Sequence, residues 1–236
     1  NPNSITTVKN EPTTQAYNIS LTSVLANSFT ASWTRGNGDG VIVLARASGA
    51  VNDFPADGTT YTADNDWVTG GNTASQLGTG NYVVYIGTGT SVHLSGLTDG
   101  TNYEIRAFEY NNSGSNINYL TNTATNNPNN TTTPGIFTWQ GDDATSPNYW
   151  SVAANWDKNT VPTSSCDVII PTNAPEMPVI SLANYACNDL TIGPDAILTI
   201  NNGRSLTVSS TLLLETPENS GAAGQIIIPG TGELTV

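Results

Sequence analysis

Basic side chains are scarce in this chain. Its 236 residues include 6 Lys and Arg against 19 Asp and Glu, a formal net charge of −13. Six cations assemble no patch for a phosphate backbone, which argues against nucleic-acid binding. An anionic membrane surface repels such a chain as well. No run of about 20 apolar residues is present, so no membrane insertion is expected. The opening "NPNSITTVKN" lacks the apolar core of a signal peptide, so the chain reads as a mature piece. There is one histidine and there are two cysteines, too few for a structural zinc site. Charged residues make up 11%, well below the roughly 25% of an ordinary soluble protein.

Asn, Thr, Ser and Gly fill the space that charge leaves. They favour turns and strand surfaces over helices. No apolar run at helical spacing stands out, so the chain reads as all-β. Low charge, an acidic balance and few cysteines suit a secreted, extracellular or cell-surface protein.

The first half carries strand periodicity. In "ANSFTASWTRGNGDGVIVLARAS", Phe29, Ala31 and Trp33 alternate with Thr30 and Ser32, and a Gly-rich turn leads to "VIVLARA". In "TSVHLSGLTDGTNYEIRAFEYNNSG", Val92 and Leu94 flank His93, Asp99-Gly100 makes a turn, and a long strand follows from Tyr103. Strands at this spacing indicate a β-sandwich. Alternation puts the lone His93 on the solvent face.

These residues resemble a fibronectin type III module over about 12–134, with residues 1–11 as an N-terminal extension. The resemblance rests on Trp33, Leu97, Gly100 and Tyr103. It implies that Trp33 is the core tryptophan and that Tyr103 forms a tyrosine corner. Residues 51–90 exceed the usual mid-module connection, and "NYVVYIG" within them alternates well, so extra hairpin strands are expected there. The stretch 121–135, "TNTATNNPNNTTTPG", reads as an extended linker or a polar last strand, with a domain boundary near Pro134.

The second half, 135–236, repeats itself. Val168, Leu190, Leu212 and Leu234 follow one another at steps of 22 residues. Leu190, Leu198 and Leu206 lie eight apart, which fits three faces per period. Periods of this size signal stacked coils, here a parallel β-helix. A second antiparallel sandwich with short hairpins is the alternative. Gly193-Pro194-Asp195 and Asn201-Asn202-Gly203 read as corners, and 215–224 as a bulging loop. The sequence stops at Val236 inside the fourth copy of the column, so more chain is expected downstream.

The stretch "FTWQGDDATSPNYWSVAANWDKNTVP" with "SSCDVIIP" resembles the opening motif of large secreted bacterial proteins whose repeats form β-helices. The resemblance implies a structural cap on the first coil. It does not imply one activity, since such proteins include adhesins and polysaccharide-active enzymes.

Several residues support two readings. Trp139, Trp150 and Trp156 make either a sugar-stacking platform or an aromatic plug under the first coil. Cys166 and Cys187, 21 apart, fall on adjacent coils. They form either a disulfide worth about 3 kcal/mol or two small buried hydrophobes. Asp64, Asp66, Asp142 and Asp143 are the best oxygen ligands for Ca²⁺, the one cofactor the chain suggests, or else solvated loop acids. No spacing marks a catalytic carboxylate pair. The Gly-rich turns lack the lysine of a phosphate loop.

The expected role is a non-catalytic spacer and surface-interaction region of a secreted multidomain bacterial protein, in adhesion or as a carbohydrate-binding accessory. Its expected partners are polysaccharide or cell-surface glycan and other domains of the same chain. The alternative is the start of a polysaccharide-degrading β-helix enzyme whose active site lies outside this chain.

Overall fold

The computed structural model describes residues 8–67, 74–218 and 221–236. Residues 1–7 of the expected extension, 68–73 of the expected hairpin region and 219–220 of the expected loop lie outside the described residues. The chain divides between Thr133 and Pro134 into two units, each with its own core.

The N-terminal unit is a sandwich of antiparallel strands: β1 (Tyr17–Leu25), β2 (Ser28–Thr34), β3 (Gly40–Ala47), β4 (Gln76–Leu77), β5 (Asn81–Gly87), β6 (Ser91–Leu94), β7 (Asn102–Asn111), β8 (Asn118–Tyr119) and β9 (Asn129–Thr132). One sheet runs β1-β2-β6. The other runs β4-β5-β3-β7-β8, with β9 also on β7. The period-2 pattern of β2 buries Phe29, Ala31 and Trp33 against Val41, Val43 and Ala45 of β3 and Tyr103, Ile105 and Ala107 of β7. Each large side chain buried there contributes roughly 1.5–3 kcal/mol. Trp33 is a core residue, and the wholly buried Tyr103 accepts a hydrogen bond at its hydroxyl from the Thr98 N–H at 2.9 Å. This is the geometry of a tyrosine corner in a β-sandwich. His93 is exposed on β6 and touches Thr30 through Nδ1 at 3.2 Å.

Strand β3 is continuously apolar because both of its faces are covered. Its second face, Ile42 and Leu44, packs with Val51, Leu77, Val83, Phe108, Ile117 and Tyr119 in a separate core. This explains the long 51–90 region. Its end forms the β4–β5 hairpin, as alternation predicts. The described residues 51–65 instead form no strand and lie over the outer face of the larger sheet. The Asn/Thr-rich stretch before Pro134 is bonded into the sheet, with β9 antiparallel to the first half of β7.

The C-terminal unit contains β10 (Ile136–Thr138), β11 (Asp167–Ile170), β12 (Val179–Ile180), β13 (Tyr185–Cys187), β14 (Leu190–Ile192), β15 (Ile197–Ile200), β16 (Ser205–Val208), β17 (Leu212–Leu214), β18 (Gln225–Ile227) and β19 (Glu233–Thr235). Three sheets share them, in orders β10-β11-β14-β17, β12-β15-β18 and β13-β16-β19. Every pairing is parallel, so the alternative of a second antiparallel sandwich is not what these residues build. Successive passes of the chain add one strand to each sheet in turn. Leu190, Leu198 and Leu206 therefore sit on three different sheets, all wholly buried.

Phe137, Val168, Leu190 and Leu212 are aligned in register on the first sheet. Leu234 does not continue that column. It pairs with Leu206 on the third sheet. The extra residues between β17 and β18 stretch the last step on the second sheet to 28, from Leu198 to Ile226, and displace every strand that follows. The predicted corners are present: Asp195 (φ 60°) and Gly203 (φ 70°) take the left-handed backbone, strained for most residues and free for glycine.

Candidate binding groove

On the outer face of the N-terminal unit lies a groove of about 230 Å³. Long-range pairing assembles it. Tyr119 on β8 stands opposite Tyr110 on β7, while the overlying segment 57–61 is tied down beside them. The Tyr119 N–H donates to Asp57 at 2.8 Å, its hydroxyl donates to the Thr59 carbonyl at 2.9 Å, and the Gly58 N–H donates to the Ile117 carbonyl at 2.9 Å. Tyr119 is buried, and Tyr61 and Tyr110 stand edge-on to it, with ring centroids at 6.0 and 5.7 Å. Ile86 and Ile117 complete the apolar lining. Thr60, Asn112 and Ser113 form a neutral polar rim.

Burial pushes the hydroxyls of Tyr110 and Tyr119 above the ordinary tyrosine range, so both stay protonated at neutral pH. No charged side chain lines the groove.

The tryptophans expected as a sugar platform are elsewhere and are enclosed. Trp139, Trp150 and Trp156 are at most 1% exposed. They pack on one another in T-shaped contacts at 5.0 and 4.7 Å, offering no free face to a ligand. The Trp139 indole N–H donates to the Glu176 carbonyl at 2.7 Å, and that of Trp156 to the Trp150 carbonyl at 2.9 Å. The insertion carrying them folds over the first pass of the chain. Residues 148–150 bond to Val179 as though they were a preceding strand of β12, and Trp150 covers Tyr185 of β13.

The spacing of the motif follows from this plug. Gly141 (φ 61°) lies so close that a Cβ would sit 2.2 Å from the Glu176 carbonyl oxygen and 2.7 Å from the Trp139 indole nitrogen. The buried Asn155 staples the loop: its amide donates to the carbonyls of Ser146 (2.8 Å) and Tyr149 (3.1 Å), and its Oδ1 accepts from the Asp143 N–H (2.9 Å).

The remaining predicted residues do not gather into one site. Asp64 and Asp66 belong to the N-terminal unit, Asp142 and Asp143 to the other. Asp64 accepts the Asp66 N–H at 3.0 Å. Asp143 places one carboxylate oxygen on the Thr145 N–H and hydroxyl and the Ser146 N–H, which holds its pKa below the usual carboxylate range. Among the described residues, no three His, Cys, Asp or Glu side chains are grouped to hold a metal, so the geometry does not support the calcium expectation.

Cys166 and Cys187 are not joined. Both are buried free thiols. The strict step of 22 pairs Cys166 with Asn188, whose N–H donates to the Cys166 backbone carbonyl at 2.7 Å, and leaves Cys187 one residue out of register. Burial pushes the Cys187 thiol up to about 12, with Asp167 and Asp189 adding to the shift.

Sequence reasoning missed the groove tyrosines and also Glu109. The only available hint was the crowding of tyrosines in 103–119.

A family model described as a domain of unknown function (DUF8693) matches residues 138–223, from the tryptophan cap through the third pass of the chain. No curated protein matches. Among solved structures, a computationally redesigned β-sandwich protein is 17% identical, with 50% of this chain and 84% of that one covered at TM-score 0.30. The fibronectin type III domain of human collagen XX is 19% identical over 49% of this chain and 99% of its own (TM-score 0.27). That of the human KIAA0970 protein is 11% identical over 54% and 86% (TM-score 0.23).

Proposed function

We propose that this chain is a non-catalytic spacer and surface-interaction region of an exported multidomain protein, with a C-terminal unit that is the start of a parallel β-helix. The observation that carries this reading is the contrast between the two ends of that unit. One end is closed by the tryptophan plug. At the other, β17, β18 and β19 each pair on one side only among the described residues. Leu212, Ile226 and Leu234 are only partly buried there, whereas Leu190, Leu198 and Leu206 beneath them are wholly buried, and Leu214 is 40% exposed over the wholly buried Ile192. Unpaired parallel edges with apolar residues beside them suit stacking of a further layer. The occupant this reading commits to is another domain of the same polypeptide, continuing the parallel register.

An arrangement of this kind transmits position and not chemistry. The test is protease shaving of intact source cells, with a reducing-sugar assay of the purified chain on a panel of plant, fungal and bacterial polysaccharides. The reading expects release of peptides from this chain by protease and no new reducing ends. Retention inside the cell, or turnover of any polymer, contradicts it.

A further inference from the structure

We propose that the tyrosine groove of the N-terminal unit is a binding subsite for one ring of a neutral glycan. The inference rests on the surface-interaction reading above and gives it a place and a ligand class. Three observations converge.

The first is shape. About 230 Å³ lies at the small end of ligand sites and suits a single sugar ring better than a cofactor or a folded partner. The second is lining. Tyr61 and Tyr110, both partly exposed, supply the apolar, polarisable walls against which the C–H face of a pyranose packs, and the buried Tyr119 fixes them from below. The rim supplies neutral hydrogen-bonding groups. Tyr61 accepts the Ala56 N–H at 2.9 Å through its hydroxyl, which leaves that hydroxyl's own proton to donate. Thr60 and Ser113, both exposed residues, bring hydroxyl groups to the rim. A hydroxylated ligand needs both a donor and an acceptor at each contact, and a hydroxyl offers both.

The third is charge. In a molecule with 19 acidic residues, none lines this groove. Asp57 is engaged by the Tyr119 N–H, and Asp39, behind the rim, by the Asn112 N–H and the Lys9 ammonium. An anionic ligand finds no cation here and meets the repulsion of the whole molecule. A quaternary ammonium group would use the aromatic walls. It would make no use of the hydroxyl rim and would find no carboxylate in the lining.

The test titrates the whole 236-residue chain, labelled for amide NMR, with cellotetraose, xylotetraose, mannotetraose and galactotetraose, and separately with choline. The proposal expects saturable shifts from at least one tetrasaccharide. They should centre on Tyr61, Tyr110, Ser113, Ile117 and Tyr119, and affinity should fall at least tenfold in Tyr110→Ala. Because Tyr110 is half-buried, a second variant at the exposed rim, Ser113→Trp, is made to block the mouth without disturbing the core. It should lose the shifts at unchanged melting temperature. Tyr149→Ala, an exposed tyrosine in the other unit, should bind as the parent does.

Binding of no tetrasaccharide at millimolar concentration overturns the proposal. So does binding of choline alone, or binding that Ser113→Trp leaves intact. Groove binding together with polymer turnover would leave the subsite standing and overturn the non-catalytic reading.

Discussion

Glu109 is wholly buried, yet it closes on Arg35 through two hydrogen bonds, Nε to Oε1 at 2.6 Å and Nη2 to Oε2 at 2.7 Å. The N–H groups of Gly36 and Gly38 add bonds at 2.8 and 3.1 Å. Four donors thus replace the water this carboxylate has lost, and the pairing raises the Arg35 pKa further. This ion holds the Gly-rich turn between β2 and β3 in shape. Glu109→Ala leaves the guanidinium and two N–H groups without their acceptor. It should cost about 3–5 kcal/mol in urea unfolding of the N-terminal unit, and a loss below 1 kcal/mol would contradict this account.

Tyr103 works through one hydroxyl. Tyr103→Phe keeps the ring in the core and strips the Thr98 N–H of its acceptor, which should cost about 1–3 kcal/mol. Tyr149→Phe, at an exposed ring, is the control and should change stability by less than about 0.5 kcal/mol. Equal effects of the two substitutions would remove the corner from the account.

The tryptophan plug has a stability signature and a spectroscopic one. Trp156→Ala opens a cavity between Trp139 and Trp150 and should destabilise the C-terminal unit by about 3–5 kcal/mol. In the parent chain the indoles of Trp139, Trp150 and Trp156 should resist quenching by iodide. Saccharides that bind the chain should leave their fluorescence unchanged.

Cys187 gives a pH dependence with a definite sign. Its folded pKa is raised from 9.0 to about 12, chiefly by burial. The folded state therefore holds the thiol proton more tightly than the unfolded state does. That contribution to stability is complete below pH 9 and is lost as pH rises through about 12. Alkaline unfolding of the parent should show this loss over that window, and Cys187→Ala should lack it. Maleimide should label Cys187 at pH 7 only after denaturation, since the thiolate is the reactive form.

How much of this was legible in the sequence depends on how far apart the cooperating residues lie. The steps from Val168 to Leu190 to Leu212 were readable because no insertion interrupts the first sheet there. Leu234 was misplaced because the ten residues inserted in the sequence between β17 and β18 break the period. The step from Phe137 to Val168 was hidden for the same reason, since the tryptophan cap is itself an insertion. The strands holding Trp33 and Tyr103 could be read from local alternation, while the corner role of Tyr103 came from the resemblance to fibronectin type III modules. The groove could not, because Tyr61 reaches Tyr119 only when the 51–65 segment folds over the larger sheet. Glu109 was masked by alternation: a strand covered on both faces has no solvent side on which to put a charge, so the charge must bring its partners with it.

The most direct measurement is amide hydrogen exchange on β17, β18 and β19, comparing the 236-residue chain with the protein as its source cells produce it. The account predicts fast exchange of these outer amides in the isolated chain and strong protection in the protein from source cells, with β14, β15 and β16 protected in both. Equal, fast exchange of β17–β19 in the protein from source cells would contradict the proposal that another domain of the same polypeptide stacks on this edge.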